Sequence, residues 1–219
     1  MSTQYQSILT VLNGAPVVPV ITLDRAEDAE PLADALLAGG LAVLEVTLRT
    51  PAALDGIAAM AKAFPEALVA AGTVLSAEDL DRAIDAGAKL AISPGATPGL
   101  LAAAAAAPIP FMPAIATASE AMRAREHGFR LLKFFPAQAA GGAAALKGFA
   151  GPLADLRFCP TGGVSLENMA SYLRLPNVVA VGGSWMVPQA LIRDGRFSEI
   201  ESLARAASAS GLAVTAEKS

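Results

Sequence analysis

The feature that most constrains this chain is a period. Short apolar, β-branched runs begin near residues 17, 41, 68, 90, 111, 130, 157 and 178, and a helix-forming stretch follows each one. Strands alternating with helical patterns imply parallel βαβ units. Eight such units predict an α/β fold, a single-domain (β/α)8 TIM barrel over residues 1–219, with a doubly wound open sheet as the alternative. At 219 residues the chain is shorter than the roughly 250 typical of such barrels, so its loops must be short.

The units follow from local signals. A short N-terminal helix over Gln4 to Leu12 stops at Asn13-Gly14. The first strand is Val17 to Leu23, with Asp24 as the cap of a helix that runs to Leu37 and ends at Gly39-Gly40. Leu41 to Thr47 precedes a helix from about Pro51 to Ala63, and Leu68 to Thr73 precedes one opened by Ser76 and closed at Gly87. Leu90 to Ser93 leads to a helix over Thr97 to Ala107, whose alanine run is strongly helix-forming. Phe111 to Ala114 leads to a helix from Ser119 to about His127. The last three strands are Arg130 to Phe135, Arg157 to Thr161 and Val178 to Val181.

Composition narrows the function. A net charge of -4, with sixteen scattered Lys and Arg, offers no basic surface for nucleic acid. One cysteine, Cys159, and one histidine, His127, exclude a disulfide framework and a Cys/His metal cluster, and no motif for a carboxylate-held metal appears. The uncharged run from Leu90 to Ser119 is broken by Pro94, Pro98, Pro108, Pro110 and Pro113, so it is no membrane span. Pro16 and Pro19 interrupt the first apolar stretch, which argues against a secretory signal and for a cytoplasmic protein.

In a barrel of this kind the active site lies at the C-terminal ends of the strands. Those ends are polar here: Glu45-Val46-Thr47-Leu48-Arg49, Gly72-Thr73, Ser93-Pro94-Gly95, Lys133-Phe134-Phe135-Pro136, Pro160-Thr161-Gly162-Gly163 and Gly182-Gly183-Ser184. Lys133 stands out because it sits within an apolar run. An amine withdrawn from water loses the hydration that favours its charged form, and neutral amines attack carbonyls to form Schiff bases. The bland alternative is a strand-end lysine that snorkels to solvent. With a side-chain period of two, Glu45, Thr47 and Arg49 can share the interior side, as can Lys133 and Phe135. A carboxylate, a guanidinium and an amine then converge, although Glu45 and Arg49 could equally form a structural ion pair. Thr73 and Thr161 read either as site residues or as ordinary β-branched strand residues. The glycine pairs after the last two strands fall where barrels bind phosphate through backbone N–H groups, or else serve tight turns. His127, before Gly128 near a helix C-terminus, reads as structural, Cys159 as a core thiol, and Trp185 and Met186 as packing for the last turn.

These six blocks, in this order, resemble the class I 2-keto-3-deoxy-6-phosphogluconate (KDPG) aldolases, also called 4-hydroxy-2-oxoglutarate (KHG) aldolases, almost end to end. The resemblance implies a metal-free, cofactor-free homotrimeric barrel. Its expected reaction is cleavage of a 2-keto-3-deoxy phosphosugar acid to pyruvate and D-glyceraldehyde 3-phosphate, in the Entner–Doudoroff pathway. It further implies that Lys133 is the Schiff-base lysine, Glu45 the general acid/base, and Arg49 and Thr73 the carboxylate binders. By the same resemblance Pro94 and Phe135 line the substrate site, Thr161 holds a hydroxyl of the aldehyde portion, and Gly162, Gly163, Gly183 and Ser184 form the phosphate end. The alternatives are the same chemistry on KHG or on the galactonate-derived epimer, and a phosphosugar-binding barrel without lyase activity.

Overall fold

Eight sequence units become nine short strands in the computed structural model, which describes residues 3–218. They are β1 (Val17–Ile21), β2 (Val43–Thr47), β3 (Leu68–Gly72), β4 (Leu90–Ile92), β5 (Phe111–Met112), β6 (Ala114–Ile115), β7 (Leu131–Phe134), β8 (Arg157–Pro160) and β9 (Val181–Gly183). Every named pairing is parallel, in two sheets of order β5-β4-β3-β2-β1-β9 and β6-β7-β8. The expected fifth strand is divided at Pro113, which has no N–H to give to a ladder. Its carbonyls still work on both sides: Met112 O accepts from Ser93 N, and Pro113 O from Lys133 N at 3.0 Å. On the other side of the three-stranded sheet, single parallel bridges Phe158↔Val178 and Thr161↔Gly182 link β8 to the segment around β9.

The sheets are curled, as two hydrophobic clusters show. One joins Val18, Val43, Ala70, Leu90, Ile92, Met112, Leu131, Cys159 and Ala180, drawn from both sheets, with Ile8 and Leu12 of helix α1 (Thr3–Gly14). Residues of alternate parity, such as Val17, Leu44, Val69, Ala91, Phe111, Leu132, Phe158 and Val181, face outward into the helix layer. That layer comprises α2 (Ala29–Ala38), α3 (Ala53–Ala63), α4 (Ala77–Asp85), α5 (Pro98–Ala106), α6 (Ala118–Glu126), α7 (Gly142–Phe149), α8 (Met169–Leu173), α9 (Gln189–Arg193) and α10 (Phe197–Ala216). Strands buried on both faces explain the mean hydropathy of +0.50. Among the described residues, no helix is long and apolar enough to cross a membrane.

Three local expectations are corrected. Asp24 does not cap α2: a 3-10 turn over Ala26–Asp28 intervenes, and the buried carboxylate of Asp28 binds the Arg25 guanidinium through two hydrogen bonds of 2.9 and 2.7 Å. Helix α6 starts earlier than Ser119, because Thr117 and Glu120 form a reciprocal capping box. The last strand is Val181–Gly183 rather than Val178 to Val181, glycine being a poor strand signal. Gly182 belongs there for a steric reason, since a Cβ at that position would overlap the Thr161 side chain.

Candidate active site

Glu45 and Lys133 lie on strands that are not neighbours. On β2, Glu45 is in register with Val20 and Ala70, and on β7, Lys133 is in register with Ala114 and Cys159. Both share the parity of the inner cluster through Val43 and Leu131, so curling aims them at one another. Lys133 Nζ donates to Glu45 Oε1 at 2.8 Å. Relative exposure is 5% for Lys133 and 1% for Glu45, so the lysine does not snorkel. A buried ammonium needs a counter-charge, and Glu45 supplies it. The Phe135 ring centroid lies 5.4 Å from Nζ, within cation–π range.

The Glu45 carboxyl rests on Gly72, the last residue of β3. A Cβ there would lie 2.8 Å from Glu45 Cγ, 3.0 Å from Cδ and closer still to Oε1, so the position requires glycine. The next residue, Thr73, has φ of 62°, in the left-handed region that a β-branched residue enters at a cost of about 1–3 kcal/mol. Thr73 is therefore not an ordinary strand residue. The strained position adjoins the carboxylate, as functional sites often require.

Arg49 departs from the parity expectation. Strand β2 ends at Thr47, and Arg49 N turns back to donate to Thr47 O at 2.8 Å, so the alternation of faces stops before it. Its side chain is exposed and makes no ion pair or hydrogen bond among the described residues. The Glu45–Arg49 ion pair is thus not formed; the partner of Glu45 is Lys133. Arg49 instead lines a pocket with Phe135, Thr161, Gly162, Gly163, Gly183 and Ser184. Phe135 joins that pocket to the buried pair, because its ring faces Lys133. Thr161 is 5% exposed and its Oγ1 has no hydrogen-bond partner among the described residues, an orphaned polar atom in the pocket wall. Pro94 and Thr73 are half-buried at the ends of β4 and β3 and do not line this pocket.

Other groups come to light in the tertiary arrangement. Thr22 lines the pocket, its carbonyl accepting from Gln189 Nε2 at 2.8 Å, while Thr47 Oγ1 donates to Ile21 O at 2.8 Å. Thr22 has the parity of Val18 and Val20, a signal the sequence did carry. Ser93 is fully buried, and its hydroxyl has no partner among the described residues; the sequence marks its block, Ser93-Pro94-Gly95, as a polar strand end but gives the serine itself no role. Burial pushes the Cys159 thiol up to about 12, the Glu45 charge adding to the effect and Lys133 opposing it. Thr161 also bears on that thiol, but not in hydrogen-bond geometry. Cys159 is a protonated core thiol and not a nucleophile. Among the described residues, no group of three His, Cys, Asp or Glu side chains could hold a metal ion.

Comparison with known proteins identifies the family. The family model described as KDPG and KHG aldolase matches residues 8–203. The chain is 51% identical over 205 residues to the KHG/KDPG aldolase of Escherichia coli (strain K12), covering 94% of this chain and 95% of that one. It is 48% identical over 198 residues to the 2-dehydro-3-deoxy-phosphogluconate aldolase of Pseudomonas aeruginosa, covering 90% of each. Among solved structures, the KDPG aldolase of Legionella pneumophila, with pyruvate captured as a covalent carbinolamine intermediate, superposes with a TM-score of 0.89 at 46% identity. That match covers 91% of this chain and 97% of the other.

Proposed function

The chain belongs to the KDPG and KHG aldolase family, and from that premise we propose that it is a class I aldolase cleaving 2-dehydro-3-deoxy-6-phospho-D-gluconate to pyruvate and D-glyceraldehyde 3-phosphate. The observation that carries this reading is the buried Lys133–Glu45 pair at 2.8 Å, beside an open pocket at the strand ends. A proton carrier must lie within hydrogen-bond reach of the group it serves, and Glu45 meets that requirement for the lysine nitrogen.

The steps follow from these groups. Glu45 accepts a proton from the lysine nitrogen, and the free amine adds to the C2 ketone to give a carbinolamine. Glu45 returns the proton to the departing hydroxyl, water leaves, and a protonated imine forms. A base then takes the C4 hydroxyl proton, the C3–C4 bond breaks, and its electron pair flows into the imine as an enamine, releasing the aldehyde. Glu45, directly or through water, is the base for that step. Protonation at C3 and hydrolysis of the imine release pyruvate and restore Lys133. Arg49, exposed and unpaired in the pocket wall, is free to take the substrate carboxylate with its two-donor fork. Thr73 supports the same end from beside Gly72, Phe135 is an apolar wall of the pocket, and Pro94, outside that pocket at the end of β4, is an apolar edge of the site. Thr161, with its orphaned hydroxyl, meets a hydroxyl of the aldehyde portion. Gly162, Gly163, Gly183 and Ser184 receive the phosphate.

The whole chain is read as one barrel domain in which the seams at Pro113 and at the Thr161↔Gly182 bridge close eight strands into a ring. A cytoplasmic homotrimer without cofactor completes the reading, and exposed Leu75 and Met122 supply apolar surface for such an assembly. A second substrate, KHG, is favoured by the double name of the Escherichia coli relative. Pyruvate with borohydride tests the chemistry: reduction should add a covalent mass at Lys133 and abolish activity. Labelling at Lys89 or Lys147 with Lys133 untouched would overturn the nucleophile, and no labelling at all would leave only a sugar-binding barrel.

A further inference from the structure

Three successive peptides after β8 have their carbonyls tied to the protein. Ala137 N donates to Thr161 O at 2.8 Å, Gln138 N to Gly162 O at 3.0 Å, and Asn168 Nδ2 to Gly163 O at 2.8 Å. In a trans peptide the N–H points opposite to the C=O of the same unit. The N–H groups of Gly162, Gly163 and Val164 therefore face away from these anchors, and none of the three donates a hydrogen bond among the described residues. All three residues line the pocket, and the two glycines have φ of 97° and 76°. Consecutive N–H groups around such residues form an anion-binding nest.

Two of the anchors are backbone groups and persist through mutation. The third is a side chain whose orientation is itself fixed, since Asn168 Oδ1 accepts from Ser165 N at 2.9 Å. One amide thus clamps the loop at both Gly163 and Ser165. We propose that Asn168 is a positioning residue for substrate choice. By holding the Gly163 carbonyl it aims the Val164 N–H into the pocket, and so favours a substrate whose far end carries a phosphate. This rests on the aldolase reading above.

The test compares KDPG with KHG, which lacks the phosphate. In Asn168→Ala the KM for KDPG should rise about tenfold, the loss expected for one hydrogen bond to a charged group. Its kcat, and both constants on KHG, should stay within about twofold of wild type, since the Lys133 and Glu45 chemistry is untouched. Asn168→Asp keeps an acceptor for Ser165 N but offers no donor to Gly163. At high ionic strength, which screens its added charge, it should show the same selective rise in KM. An unchanged KM for KDPG in both variants, or an equal loss on both substrates, would overturn the proposal. Imine trapping on the wild-type protein separates the two layers. Absent trapping overturns the aldolase reading and this proposal with it, whereas normal trapping without a selective KM change overturns this proposal alone.

Discussion

Adding one methyl group at Gly72 should disable the enzyme through Glu45 without touching substrate. The new Cβ would lie 2.8 Å from Glu45 Cγ, whereas carbon atoms pack at about 3.5–4.0 Å. The Glu45 side chain must therefore retreat from β3 by roughly 0.7 Å or more. A retreat of that size along the 2.8 Å contact with Lys133 Nζ takes it beyond the range of about 2.7–3.2 Å in which such a hydrogen bond works, and one across it spoils the alignment. A misplacement of about 1 Å at a reacting group costs on the order of 10²-fold in rate. Overpacking should also lower stability by about 1–3 kcal/mol. Gly72→Ala should thus turn over about 100-fold more slowly, by coupled detection of pyruvate, with a lowered thermal midpoint and a folded circular dichroism spectrum. If the methyl acts through Glu45, Gly72→Ala combined with Glu45→Gln should be no slower than Glu45→Gln alone, because residues acting as a unit are not additive. Turnover of folded Gly72→Ala within twofold of wild type would refute the reasoning, and additive losses in the double variant would show that Gly72 acts by another route.

Glu45→Gln keeps the size and an acceptor for Lys133 but cannot exchange a proton, so turnover should fall about 10²–10⁴-fold with the fold intact. Near-normal turnover with a lowered thermal midpoint would instead make Glu45 only the structural counter-charge of Lys133. Cys159, its thiol pushed up to about 12 by burial, stays protonated at pH 8 and should resist iodoacetamide in the folded protein while reacting once unfolded. The raised value also fixes a sign: the unfolded thiol ionises first, so Cys159 removes stability as pH rises from about 8.5 toward 12. Rapid alkylation of the native protein at pH 8 would contradict the burial described.

Much was legible in the sequence because it depends on local repetition. Alternating apolar runs and capped helices specify βαβ units wherever they occur, and a lysine inside an apolar run is visible without coordinates. Parity placed Glu45 and Lys133 on the interior because a period of two is a property of each strand alone. What joins them is not local. They are 88 residues apart, on strands that do not pair, and only curling of the sheets brings nitrogen and carboxylate to 2.8 Å. The same limit explains the misreadings. Arg49 left the parity of its strand because a turn after Thr47 ended the strand first, and the last strand shifted onto Gly182 and Gly183 because their value lies in what they leave vacant. Gly72 is the clearest case. In sequence it is one glycine before a threonine, and only the folded chain lays the Glu45 carboxyl across the space its missing side chain leaves open, because close packing is decided between segments and not within them.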